Sequence, residues 1–364
     1  MPAPLTLDPV TSTTPTPPPA TSSDTPPPRR TPRAAVATLD ATLERLRPRW
    51  TGRAVVANLV AQIGIVVTGG AVRLTGSGLG CSTWPQCEPG RFAPEFHAEM
   101  GIHPLIEFGN RTLTGVLVVL AIAVALLAGR DFSRSRGYRA WAWAPIIGVT
   151  VQAVVGGITV LVDLHPAVVG SHFLLSMLLV AVSAWLLVRS REGDGPVVPL
   201  VDRRVRALTS VLVGVGAVMI TLGVVVTGAG PHSGDEEVGY RFAVDPYAMA
   251  RVHALSVWAF VGTLGVVLAL LVRARRAVVA TYHRVDGLEQ PARGVVAPPA
   301  TPDAARPLRA GLVLLGVTLA QGLVGYVQLF TGLPIALVNL HMLGAALLTA
   351  VLTLFVGAQR RRTA

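Results

Sequence analysis

Three histidines lie within apolar stretches of this sequence, His172, His253 and His341, and Glu107 and Asn110 open another such stretch. Ionisable side chains are costly inside a bilayer, so each is a functional candidate wherever its run is long enough to cross one. An imidazole nitrogen is a good axial ligand for heme iron, and two histidines on facing helices can clamp one heme between them. His253 and His341 suit that role. The plainer reading is that a membrane histidine merely bonds a neighbouring backbone carbonyl, and repetition counts against it. Gly148 to Gly156 before His172 matches Val317 to Gly325 before His341, and one offset relates both Gln152 to Gln321 and His172 to His341.

Aligning Glu107 to Arg111 with Ala250 to Ala254 sets Asn110 against His253, so the first site offers a single imidazole and could leave an iron open for chemistry. His103, Glu107 and Asn110 share one helix face. A carboxylate beside an open iron position could accept a proton or stabilise a developing cation; the alternative for Glu107 is an ion pair with Arg111, four residues on. Arg73 and Arg111 are candidates for heme propionates, because a guanidinium fork matches a carboxylate. Cys81 and Cys87 permit a small disulfide if their loop faces an oxidising compartment. A zinc site would need two further ligands, which His97 and His103 are only loosely placed to supply.

The elements that must position these residues are membrane spans. Apolar residues make up 51% of the chain and charged ones 14%, a balance that suits a lipid-embedded protein. Apolar runs lie near 54–72, 107–128, 142–163, 167–188, 207–228, 251–272, 310–331 and 336–357. Each has about 20 residues, enough to cross roughly 30 Å of hydrocarbon at about 1.5 Å per residue. Every basic residue is arginine, and the arginines gather in short loops: Arg130 to Arg139, Arg189 to Arg206, Arg273 to Arg276, and Arg360 to Arg362. These loops belong inside by the positive-inside rule, and the acidic 229–250 loop outside, so both termini of a multi-pass cell-membrane protein are expected in the cytoplasm. Glu107, Asn110 and the three histidines then share a depth near the outer face. The net charge of +11 comes without any groove-reading or stacking motif, which argues against a nucleic-acid partner.

The expected fold is an all-α integral membrane protein, with eight transmembrane helices as two tandem pseudo-symmetric four-helix bundles. Val66 to Gly69 against Val225 to Gly228 extends the repeat, and an even number of spans per unit makes the repeats parallel. Residues 1–50 read as a disordered cytoplasmic tail, rich in Pro, Thr and Ser, without the apolar core of a signal peptide. Leu39, Leu43, Leu46 and Trp50 add a candidate interfacial helix within it. Residues 51–190 form the first half, 191–206 a cytoplasmic linker, 207–357 the second half and 358–364 a basic tail. The pairs Gly69-Gly70 and Gly156-Gly157 read as close helix-packing positions.

The segment from Thr68 through Arg73 and Gly80 to Cys81, continuing by Trp84-Pro85 and Cys87 to Glu107-Phe-Gly-Asn-Arg111, resembles the heme A synthase family. The likeness covers nearly everything after the tail. It implies oxidation of the C8 methyl of heme O to a formyl group by successive hydroxylations, giving heme A for terminal oxidases. By that likeness His172 ligates the substrate heme, with Asn110 or His103 as second-side groups, and Glu107 is the catalytic carboxylate. His253 and His341 hold the iron of a heme b cofactor, and Cys81 pairs with Cys87. Membrane lipid, heme O synthase and oxidase assembly factors are the implied partners. Many members read Glu-x-x-His-Arg where this chain has Asn110, and a second cysteine pair of some members is absent. A diheme b-type cytochrome for electron transfer would use the same histidines but has no need of Glu107. A transporter would place its polar residues at the midplane of broken helices.

Overall fold

Eight long helices carry most of the chain in the computed structural model, which describes residues 32–94, 101–232, 234–235, 237–286 and 305–363. They are α1 (Pro32–Leu74), α2 (His103–Val124, continued by a π-helical turn, Ala125–Gly129), α3 (Arg136–Leu161) and α4 (Pro166–Ser190), then α5 (Arg203–Ala229), α6 (Pro246–Asp286), α7 (Arg306–Phe330) and α8 (Ile335–Ala358). Each contains an apolar window long enough to cross a bilayer, so the all-α, eight-span expectation holds. The tail before residue 32 and His97 lie outside the described residues.

By packing, the chain divides into two units, residues 1–41 and 42–364. In the first, the described residues are the opening turns of α1. In the second, residues 42–50 of the stretch read as a surface helix belong to α1 itself: Leu43 is buried, and Arg47 donates to the carbonyls of Leu127 at 3.2 Å and Arg130 at 2.7 Å. Trp50 is exposed, with the guanidiniums of Arg49 and Arg53 over its ring, an amphipathic arrangement suited to a membrane boundary.

Two apolar cores hold the second unit together. One draws on Val55, Val124, Tyr138 and Val180 and on Ala346 of α8; the other on Leu212, Phe260, Leu314 and Phe355. Large apolar side chains such as Val119, Ile147, Val218 and Leu323 point outward, as lipid-facing positions require.

The repeat extends to backbone conformation. Between α3 and α4, Asp163 and Leu164 adopt left-handed φ values of 48° and 57°; between α7 and α8, Gly332 and Leu333 adopt 78° and 60°. A matching backbone hydrogen bond spans each turn, Leu164 N–H to Thr159 O at 2.9 Å and Leu333 N–H to Gln328 O at 2.7 Å. Non-glycine residues rarely adopt this region, so two leucines held there at matching places indicate that the same turn is enforced twice.

At the arginine-rich end, strand β1 (Val197–Pro199) pairs antiparallel with β2 (Arg360–Arg362), joining the segment after α4 to the segment after α8. Buried Glu192 bonds Arg189 at 2.9 Å and Arg360 at 3.3 Å, while Asp194 takes Arg134 at 2.6 Å and the Ser135 hydroxyl at 2.6 Å. Burial works against the charged form of Asp194. The Arg134 and Ser135 hydrogen bonds outweigh it and hold the carboxyl well below the usual carboxylate range.

Candidate functional site: two histidine-lined cavities

Two cavities open in the half of the bundle away from this sheet. The larger, about 1600 Å³ with its mouth included, is lined by Gly69, Arg73, Glu107, Asn110, Gly156 and His172 among others. The second, about 960 Å³, is lined by Met219, Gly223, His253, Gln321 and His341. Arg73, Phe173 and Met342 line both and so form the wall between them.

In the second cavity the rings of His253 and His341 face each other, with centroids 6.5 Å apart and planes at 81°. Two imidazoles sharing one metal, each nitrogen about 2 Å from it, place their ring centroids roughly 6 Å apart. His253 Nδ1–H donates to Met219 O at 3.0 Å, which leaves Nε2 with its lone pair free. The His341 ring takes the same pose, set against the Gln321 backbone as His253 is against that of Met219. Behind each ring stands a glycine: a Cβ on Gly223 would lie 3.2 Å from His253 Cε1, and one on Gly325 3.1 Å from His341 Cε1. These residues fit a heme, whose iron His253 and His341 would hold.

The first cavity follows the same plan with one change. His172 is backed by Gly156, whose Cβ would lie 3.2 Å from Cε1, and its Nδ1 is buried without a partner among the described residues. On the facing helix stands Asn110, whose Oδ1 would lie 4.0 Å from a Cβ on Gly69. Contacts make Gly69 the counterpart of Gly223: the neighbouring Gly70 abuts Asn339, and the neighbouring Val224 abuts Gly170, which the repeat pairs with Asn339. The sequence match of Gly69 with Gly228 is therefore replaced in space by Gly69 with Gly223. The Thr68 hydroxyl lies 3.3 Å from Ile65 O and 2.7 Å from Asn110 Oδ1.

Glu107 is buried in the wall of this cavity. Its Oε2 accepts the Cys81 N–H at 2.7 Å, and its Oε1 accepts Arg111 Nε at 3.0 Å and Nη2 at 2.5 Å. Arg111 Nη1 continues to the carbonyls of Thr83 at 2.9 Å and Gln86 at 3.2 Å. The Arg111 ion pair is therefore present, and it ties the carboxylate to the loop closed by the Cys81–Cys87 disulfide. Arg73 donates to Thr227 O and His232 O, each at 3.0 Å, which leaves Nη1 without a hydrogen bond among the described residues. His103 does not join the face it shares with Glu107 on paper: its Nδ1 pairs with Ser77 Oγ at 2.9 Å, outside the cavity lining.

Several residues gain roles that their sequence context did not assign. Gln152 Nε2 donates to His172 O at 3.1 Å and Gln321 Nε2 to His341 O at 2.7 Å, bracing the two histidine-bearing helices alike. Their repetition was the available signal. Of the glycine pairs read as packing positions, Gly70 and Gly157 do abut other residues, Asn339 and Trp84, whereas Gly69 and Gly156 make room for Asn110 and His172.

The model of the family described as Cytochrome oxidase assembly protein, COX15-CtaA, matches residues 52–353. Among curated proteins, the chain is 38% identical over 117 residues to a heme A synthase of Bacillus pumilus, a match covering 31% of this chain and 36% of that protein. It is 30% identical over 166 residues to one from an Exiguobacterium species, covering 45% and 52%. With the heme A synthase of Alkalihalophilus pseudofirmus it shares 28% identity over 142 residues, covering 38% and 46%. The chain thus spans about a third to a half of the length of these relatives.

Proposed function

Given that the chain belongs to the cytochrome oxidase assembly protein family, we propose that it is a heme A synthase, converting heme O to heme A by successive hydroxylations of the C8 methyl to a formyl group. The relatives it resembles carry that name. The observation that carries the reading is an asymmetry: of two cavities built on one plan, one has a histidine pair and the other a single histidine beside the buried Glu107. An electron-transfer cytochrome has no use for that difference.

In this reading heme O occupies the first cavity with His172 on its iron. Glu107 is the catalytic carboxylate, fixed by Arg111 and the Cys81 N–H so that it can take up a proton or balance positive charge developing at the reacting carbon. His253 and His341 hold heme b in the second cavity, where bound heme supplies one-electron redox capacity. Arg73, on the wall between the cavities with Nη1 free among the described residues, is the propionate partner, whereas the three nitrogens of Arg111 are already engaged. Helices α1–α4 form the substrate half and α5–α8 the cofactor half, with both termini on the cytoplasmic side, where the arginine-rich end lies. Membrane lipid surrounds the protein, and a heme O synthase or an oxidase assembly factor is its handing-on partner.

The test is expression in a membrane that makes heme O but no heme A, followed by extraction and chromatographic separation of the hemes. Heme A, or its hydroxylated precursor, is expected. Recovery of unmodified heme alone from folded protein, with heme O present, would overturn the assignment.

A further inference from the structure

At three of the four places where a candidate ligand enters a cavity, a glycine gives way to an imidazole: Gly156 to His172, Gly223 to His253 and Gly325 to His341, with would-be Cβ distances of 3.1 to 3.2 Å. At the fourth, Gly69 keeps the clearance but faces Asn110, whose Oδ1 would stop 4.0 Å away and lies 2.7 Å from the Thr68 hydroxyl. An asparagine side chain is shorter than a histidine, and its neutral amide is a weak ligand for iron beside an imidazole. No other described imidazole lines this cavity, and His103 is turned toward Ser77. Because His253 faces His341, their counterparts Asn110 and His172 lie on opposite faces of the first cavity.

Resting on the heme placement proposed above, we infer that the side of the first cavity opposite His172 is a binding site for a small neutral ligand, water or a diatomic gas. With heme bound, such a ligand would occupy the space a fourth histidine would fill. With Oδ1 next to the Thr68 hydroxyl, the Asn110 Nδ2 group remains to donate a hydrogen bond to it. The second cavity, closed on both sides by imidazole, has no such opening. The two hemes therefore differ in what they can bind, and Asn110 makes the difference.

Carbon monoxide and imidazole are the probes. In purified protein carrying two hemes per chain, carbon monoxide added to the reduced form shifts the absorption of one heme and leaves the other unchanged. Asn110→His abolishes that response and converts the open heme to a low-spin form, with heme content unchanged. Asn110→Ala keeps carbon monoxide binding but shifts the C–O stretching frequency, since the amide donor is gone. Imidazole added to the oxidised wild-type chain produces the low-spin shift with no substitution, so the test does not depend on any variant folding. Two bound hemes with no response to either probe would overturn the open face while leaving the heme placement standing. A single heme per chain even after loading with excess heme, lost in His253→Ala but kept in His172→Ala, would overturn the placement of a heme in the first cavity and this inference with it.

Discussion

The backbone N–H of Cys81 lies 2.7 Å from Glu107 Oε2, so the carboxylate of the first cavity is positioned by the disulfide loop as well as by its own helix. Arg111 strengthens the link by donating to Glu107 and to the Thr83 and Gln86 carbonyls of that loop. Opening the disulfide should loosen both attachments together. A hydrogen bond to a charged group contributes about 1.5–3 kcal/mol, so Cys87→Ser should slow heme A formation roughly ten- to a hundredfold while leaving heme content intact. Parallel assays of heme content and conversion check this. An unchanged rate would mean that Glu107 keeps its place without the loop.

Glu107→Gln preserves shape and removes the charge. Conversion should stop while heme remains bound, because the amide neither takes up a proton nor balances positive charge. Arg111 then loses its counter-ion, and the thermal midpoint should fall by an amount corresponding to about 1–3 kcal/mol. Complete loss of heme from this variant would assign Glu107 a structural role instead.

The glycines behind the histidines give a steric test. Gly325→Ala sets a methyl 3.1 Å from His341 Cε1 and Gly156→Ala sets one 3.2 Å from His172 Cε1. Each ring must shift to accommodate it, so the bands of the heme it serves should move, at a cost of about 1–3 kcal/mol in stability. A Cβ on Gly64 has nothing within 4 Å. Gly64→Ala should therefore leave the spectrum alone and stabilise α1 by up to about 1 kcal/mol. Indistinguishable spectra across the three variants would remove the link between these glycines and ligation.

Asp163 holds a φ of 48° where its counterpart in the other turn is Gly332. Asp163→Gly should be tolerated and should raise stability by about 1 kcal/mol as the left-handed strain is relieved. Thermal unfolding in detergent reads the sign. A clear loss would show that the Asp163 side chain contributes more than its backbone costs.

The acid response of the arginine-rich end follows from Asp194, whose pKa is depressed in the folded protein. A depressed carboxyl stabilises the fold above its unfolded value, about pH 4, and that contribution fades as pH falls further toward the folded value. Asp194→Asn should lower the thermal midpoint at neutral pH and show a weaker dependence below about pH 4. Parallel profiles for wild type and variant would exclude this carboxylate as a source of acid sensitivity.

The spans were legible because burial in lipid demands long apolar runs, and the matched histidines because His172 and His341 recur in register. Other features depend on contacts that no spacing encodes. That Gly69 is the counterpart of Gly223 emerges only from how α1 and α5 meet α8 and α4, since local sequence similarity favours Gly228. His103 shares a helix face with Glu107, yet it is drawn aside by Ser77, buried in a distant loop. The arginines at 360 to 362 look like a charged tail, but Glu192 and β1 give them partners far away in sequence.

The β1–β2 ladder also bears on the order of assembly. Val197 is made before α5 to α8, and its partner Arg362 after all of them. During synthesis β1 and Glu192 must therefore wait, the latter with its carboxylate paired, among the described residues, to Arg189 alone, until the whole second set of helices has been laid down. The ladder works as a clasp that closes after both cavities have acquired their walls, and its closure reports that the helices between the two strands have all been made.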